Sequence, residues 1–245
     1  VELYPSKNRD SSIALLGSTG LVGSHFLANL LAHTSISHVD TISRRTPHAP
    51  AAGSTPNPKL ITIIEKDTSR WASRISQLSP PPTIFFSGLG TTRSQAGSLE
   101  NQYKLELDTN IECAKAARDA GAKVYVLVSS GSASSSSMLP YLKLKGQIED
   151  AAKELGFERT IFLRPGVITG QRGQSRPFEA VARFVASSAG KLHSSLKDGW
   201  AQDADDIANA GIIAGLKSLA GEAPAGSEKV WIIEQGDIAR LIREG

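Results

Sequence analysis

The chain has 245 residues, 40% hydrophobic and 21% charged, with a formal net charge of +3; a length near 250 suits one α/β domain with a large core, and the composition is that of an ordinary globular protein. Its lysines and arginines are scattered rather than interleaved with aromatics, which argues against a nucleic-acid partner, and no stretch reaches the ~20 apolar residues that cross a bilayer. One cysteine, Cys113, allows no intrachain disulfide, and five histidines without ligand spacing give no reason to expect a metal.

Residues 1–11 read as an N-terminal extension, neither a signal peptide nor a convincing transit peptide. Ile13–Leu16 is an unbroken apolar run, the pattern of a strand buried on both faces of a parallel sheet. Leu21–Leu31 carries apolar residues at helical spacing, and Val39–Ser43 predicts a second strand. Residues 46–58, rich in Pro, Ala, Gly and Ser, read as a surface loop. Leu60–Ile64 predicts the third strand, Trp71–Leu78 a short helix ended by Pro80, Pro81 and Pro82, and Thr83–Phe86 the fourth strand. Leu105–Ala120 predicts a long helix closed by Gly121. Val124–Val128 is the fifth strand and runs into a serine-rich loop; Tyr141–Leu155 is the next helix and Thr160–Leu163 the sixth strand. Beyond Pro165 the pattern loosens: Phe178–Ser188 and Asp205–Leu219 predict helices, Val230–Ile233 a late strand, and Ile238–Arg243 a last helix with Asp237 as N-cap. The alternation implies a single α/β domain over residues 1–245, a doubly wound parallel sheet with helices on both faces. Its C-terminal part, about residues 171–228, is expected to elaborate a substrate pocket over the carboxyl edge of the sheet.

Between the first strand and first helix lies Gly17-Ser18-Thr19-Gly20-Leu21-Val22-Gly23, spaced G-x-x-G-x-x-G. In a Rossmann-type site the first glycine makes the turn, the second lets backbone approach a diphosphate, and the third packs helix on strand. The helix N-terminus then holds the anion. The second strand ends Ile42-Ser43-Arg44-Arg45, with no acid to hold ribose hydroxyls. Arg44 and Arg45 suit the 2′-phosphate of NADP(H), with a solvated surface pair as the alternative. Asp67 is a candidate acceptor for the adenine amino group, or else the cap of a turn starting at Thr68.

Tyr141-x-x-x-Lys145 opens the helix after the fifth strand, and residues four apart share one helix face. A free phenol ionises near pH ~10, and an ammonium beside it favours the phenolate, so such a pair suits general acid–base work. The same lysine can hold the nicotinamide ribose. Ser129, ending the fifth strand, is the first choice to hold a substrate oxygen, with Ser130 beside it; Ser132 and Ser134–Ser137 read as a flexible loop. Asn110 reads either as a support for water or backbone near the site or as a plain polar helix residue.

Together these segments resemble the short-chain dehydrogenase/reductase superfamily, and within it the atypical Tat-interacting-protein-like oxidoreductases and their fungal mitochondrial relatives. The resemblance runs from about Ile13 to Gly170 and also rests on Gly88-Leu89-Gly90-Thr91-Thr92-Arg93 and Leu163-Arg164-Pro165-Gly166-Val167. It implies that Leu89, Gly90 and Thr91 lie along the cofactor. It implies too that Pro165 and Gly166 line the nicotinamide end, unless they merely end the strand. Peripheral attachment to the cytoplasmic side of the mitochondrial outer membrane and dimerisation through the sheet's helices are further implications. Two functions fit: an NADPH-dependent reductase of a carbonyl or similar small molecule with Tyr141 as general acid, or a non-catalytic NADP(H)-dependent regulator or scaffold that needs Gly17–Gly23 and the arginines only. For the substrate, Phe178, Phe184, His193 and Trp200 suggest only a partly apolar cavity.

Overall fold

A computed structural model describes residues 11–47, 57–91, 96–169 and 201–244. The strands are β1 (Ser11–Leu16), β2 (Ile36–Ser43), β3 (Leu60–Ile64), β4 (Ile84–Ser87), β5 (Val124–Val128), β6 (Arg159–Arg164), β7 (Val167–Thr169), β8 (Ala201–Asp203) and β9 (Val230–Glu234). Seven of them form one sheet in the order β3-β2-β1-β4-β5-β6-β9, while β7 and β8 pair as a separate ribbon. Every pairing is parallel. The helices are α1 (Leu21–Ala32), α2 (Trp71–Ile75), α3 (Leu99–Tyr103), α4 (Thr109–Ala120), α5 (Pro140–Lys153), α6 (Ala204–Leu219) and α7 (Gln235–Glu244).

A parallel sheet needs apolar cover on both faces, and alternate strand residues supply it. Ile13, Leu15, Ile84, Phe86, Val124, Val126, Ile161 and Leu163 pack into one core with α1, α6 and α7. Ala14, Leu16, Phe85, Tyr125, Leu127 and Phe162 pack into the other with α2, α4 and α5. The chain order reverses between β1 and β4, opening a crevice at the carboxyl ends of the strands. Register brings the segments after β1, β2 and β4 to that edge together, because Leu16 stands opposite both Ile42 and Ser87.

Several sequence expectations need correction. The long helix does not begin at Leu105. It begins at Leu99, where the Ser98 hydroxyl accepts from the Asn101 amide at 3.0 Å, and passes through a π turn at Lys104–Asp108 into α4. That widened turn breaks the 3.6-residue period and hides the first part from a periodicity reading. The helix expected over Trp71–Leu78 ends at Ile75 and follows a 3-10 turn, Thr68–Arg70. Asp237 is not an N-cap but lies in the first turn of α7, accepting from the Glu234 amide and from Arg240.

α6 lies in the segment expected to shape a pocket, yet it covers the sheet beside α1. Its glycines allow that approach: a Cβ on Gly211 would stand 2.8 Å from both Leu163 Cδ1 and Phe26 Cζ. The helix expected at Phe178–Ser188, the residues Phe178, Phe184, His193 and Trp200, and Thr92 and Arg93 lie outside the described residues. So do residues 1–10 and 48–56 of the expected extension and loop.

Candidate active site

Three glycines interlock backbone on backbone at the crevice. Gly17 has φ +81°, and a Cβ on it would sit 2.5 Å from the Gly88 carbonyl carbon. A Cβ on Gly23 would sit 2.0 Å from the Gly17 oxygen. Side chains are therefore excluded where β1, α1 and the loop after β4 meet. The Gly20 amide donates to the Gly17 carbonyl at 2.8 Å, which closes the turn. α1 has neither a capping side chain nor an acid in its first turn, so its free amides and positive dipole end face outward. The Ser18 hydroxyl is buried with no partner among the described residues. A glycine cradle, free amides and an orphaned donor are the fittings a dinucleotide diphosphate needs. The side chains of Val22 and Leu89 are buried in the two cores, leaving their backbone for a ligand, and Leu21 is half-buried against the first of these cores.

Arg44 and Arg45 are exposed just beyond the carboxyl end of β2, and neither forms an ion pair with a described residue. The Ser43 hydroxyl donates to the Arg45 carbonyl at 2.7 Å and shapes this turn. Asp67 is exposed and caps the 3-10 turn: it accepts from the Ser69 amide at 3.0 Å and the Ser69 hydroxyl at 2.7 Å. These bonds hold its carboxyl below the usual carboxylate range.

Tyr141 and Lys145 come together one turn apart on α5, with the Lys145 Nζ 5.8 Å from the phenol ring centroid. Tyr141 is half-buried and Lys145 buried. The ammonium ion-pairs with Glu106 at 2.8 Å. Both groups abut the loop after β4, since a Cβ on Gly90 would lie 3.8 Å from Lys145 Nζ and 3.9 Å from Glu106 Oε2. The other Glu106 oxygen accepts from the Thr91 amide at 2.9 Å and from Gln102 Nε2 at 3.1 Å. Burial opposes the charge on Lys145, but Glu106 and then Tyr141 and Glu149 outweigh it and hold its pKa above the ordinary lysine range.

The Ser129 hydroxyl is engaged within the protein. The residue is buried, and its hydroxyl donates to Glu149 at 2.5 Å. Arg164 closes on the same carboxylate through Nε at 3.0 Å and Nη2 at 2.6 Å. Ser130 is the half-buried neighbour. The loop 131–137, expected to be flexible, is pinned to α5 by the Ser134 amide donating to the Leu142 carbonyl at 3.1 Å. Asn110 is buried and accepts from the Tyr125 hydroxyl at 3.0 Å, supporting the core. Pro165 offers its carbonyl to the Gly131 amide at 2.8 Å, and the Gly166 amide donates to Gln202 at 3.3 Å.

Sequence reasoning passed over Glu106, Gln102 and Glu149, and met Arg164 only as part of a resemblance, with no role of its own. Glu149 follows Lys145 at the four-residue spacing by which Lys145 follows Tyr141, so that signal was present on the face of α5. Glu106 carried no such signal, because the π turn shifts it out of phase. Among the described residues no cluster of His, Cys, Asp and Glu is fit to hold a metal.

Residues 17–182, more than half of the chain, match the family model described as NAD(P)H-binding. "Protein fmp52-1, mitochondrial" of Aspergillus terreus is 59% identical over 234 residues, which span 96% of this chain and 100% of that protein. "Protein fmp52, mitochondrial" of Emericella nidulans is 60% identical over 234 residues, with the same coverage of both chains. The fold is also that of the Bordetella bronchiseptica enzyme WbmF, solved in complex with NADH (TM-score 0.66, 16% identity, 98% of this chain and 77% of that chain).

Proposed function

The chain belongs to the NAD(P)H-binding family, alongside the fungal fmp52 proteins, and on that premise we propose that it is an NADP(H)-dependent oxidoreductase of the short-chain type acting on a carbonyl or similar small molecule. One observation carries the reading. The loop after β4 meets the glycine turn at Gly88, where a Cβ on Gly17 would lie 2.5 Å away, and stands beside the Lys145 ammonium at Gly90, with the phenol ring of Tyr141 centred 5.8 Å from that ammonium.

When bound, the nicotinamide supplies the hydride. Amides of the Gly17–Gly23 turn other than that of Gly20 bind the diphosphate, and Arg44 and Arg45 bind the 2′-phosphate. Leu89, Gly90 and Thr91 border the cofactor through backbone, and Asp67 closes the adenine end. Lys145 turns its remaining N–H donors to the ribose and steadies the phenolate. Tyr141 gives its proton to the substrate oxygen as the carbonyl becomes an alcohol. Ser129 supports Glu149, and the substrate-side contact falls to this serine pair, with the half-buried Ser130, whose hydroxyl makes only a long 3.4 Å bond to the Gly131 carbonyl, the more accessible of the two. A regulator that only senses NADP(H) would have no use for a phenol beside a buried ammonium, which favours chemistry.

No described helix is long and apolar enough to cross a membrane. With relatives named mitochondrial, peripheral attachment at the mitochondrial outer membrane is part of the proposal.

Fluorescence titration with NADPH and NADH, followed by NADPH consumption over a carbonyl panel, tests the function. NADPH should bind more tightly, and the Arg44→Ala/Arg45→Ala double variant should lose roughly tenfold in NADPH affinity with little change for NADH. Tyr141→Phe should retain binding and lose turnover. The reading fails if neither coenzyme binds or if turnover survives Tyr141→Phe.

A further inference from the structure

We infer that Glu106 is a positioning residue of the active site: by gripping the Lys145 ammonium and the Thr91 amide at once, it fixes α5 against the loop after β4 in the geometry that receives the coenzyme. The inference rests on the coenzyme reading above and assigns a role that the tyrosine–lysine pair does not itself require.

The geometry is specific. Glu106 is fully buried, with one oxygen on Lys145 at 2.8 Å and the other on Thr91 N and Gln102 Nε2. Gln102 Nε2 also reaches the Thr91 carbonyl at 3.0 Å, so both polar groups of that backbone unit are tied to this cluster. The residue stands in the π turn, and the Thr109 hydroxyl donates to the Lys104 carbonyl at 3.1 Å across the widened segment. π turns of this kind recur at functional sites because they re-aim a side chain within a helix.

A buried ion pair is a poor device for stability alone, since desolvating two charges offsets most of their attraction. This pair has a use that an apolar pair would not. A lysine has three N–H donors, and Glu106 takes one, leaving others for groups beside Gly90 and Tyr141. Lys145 is faced by Glu106 from the π turn, by Tyr141 and Glu149 from α5, and by the backbone of Gly90 from the loop. Arg164 lies beyond Glu149 and neutralises that second carboxylate. Glu106, in direct contact, is therefore the foremost of the charges that keep Lys145 an ammonium in a buried place.

The test compares unmodified protein with Glu106→Gln and Glu106→Asp by NADPH titration between about pH 7 and about pH 9.5, alongside NMR titration of 13C-labelled lysine in the apoprotein with Lys145 assigned by Lys145→Arg. Unmodified protein should keep Lys145 charged throughout. Glu106→Gln keeps an acceptor for Thr91 but lacks the charge, so burial should bring Lys145 to titrate within the range. Its NADPH affinity should fall with rising pH, by about tenfold at the alkaline end. Glu106→Asp should restore a flat profile.

A purely structural role predicts a uniform loss of affinity at every pH, equal in both variants, and that result would overturn the inference. So would a Glu106→Gln variant whose lysine titration and binding match the unmodified protein. If the unmodified protein binds neither NADPH nor NADH, the functional reading itself fails, whatever the variants do, and this inference falls with it.

Discussion

Cys113 shows at residue scale how burial sets chemistry. It sits on α4 with no exposed surface, packed in the core shared with Tyr125 and Leu127. Burial, helped by the neighbouring Glu112 charge, pushes its thiol up to about 12 from an ordinary 9.0. The thiolate is the reactive form. Iodoacetamide at about pH 8 should therefore leave the native protein unlabelled and modify it only in denaturant. The pH dependence of stability follows with a definite sign. The folded state holds this proton more tightly than the unfolded state, so the contribution is complete below about pH 9 and is lost as pH rises toward 12. Tyr125, raised by the same burial, adds to that alkaline loss. Thermal midpoints should fall above about pH 9, and Cys113→Ala should flatten the fall; an unchanged slope would deny the thiol its part.

At the scale of elements, α5 and the loop before it act as one piece. Tyr141, Lys145 and Glu149 share one face, and the loop lies so close on another part of the helix that Gly146 admits no side chain. A Cβ there would stand 2.1 Å from the Ser134 carbonyl carbon, which is backbone and cannot swing aside. Gly146→Ala should cost about 3 kcal/mol in urea unfolding, the upper part of the usual overpacking range, and should weaken NADPH binding by shifting Tyr141. Gly236→Ala on α7 is the control, since nothing lies within 4 Å of its added methyl. Its change should stay within about 0.5 kcal/mol. Equal effects from the two substitutions would remove the argument for a loop clamped on α5.

Across the whole molecule, two cores share one sheet. Trp71 reports on the face of α2, α4 and α5, and Trp231 on the face of α1, α6 and α7. Each central strand sends alternate residues into both cores, so neither can melt without exposing the other. Variants retaining only Trp71 or only Trp231 should each show a urea midpoint by fluorescence that coincides with far-UV circular dichroism. Two separated transitions would mean that the faces unfold independently.

Strand and helix alternation, the glycine turn and the tyrosine–lysine pair were legible in the chain because each is a local pattern: an apolar run, a fixed spacing, a four-residue interval on one face. Arg44 and Arg45 were legible for the same reason, as the residues that follow a strand. What the chain could not reveal is which polar groups meet across elements. Ser129 finds Glu149 and Arg164 from three different segments, and Lys145 finds Glu106 from a π turn that breaks the very period by which helices are read. The reason for Gly211 in α6 is likewise not local, since it is the ring of Phe26 and the methyl of Leu163 that lie against it. Local geometry follows from neighbouring residues, whereas partnerships in a desolvated interior depend on how distant segments are brought within about 3 Å of one another, and that distance is set by packing.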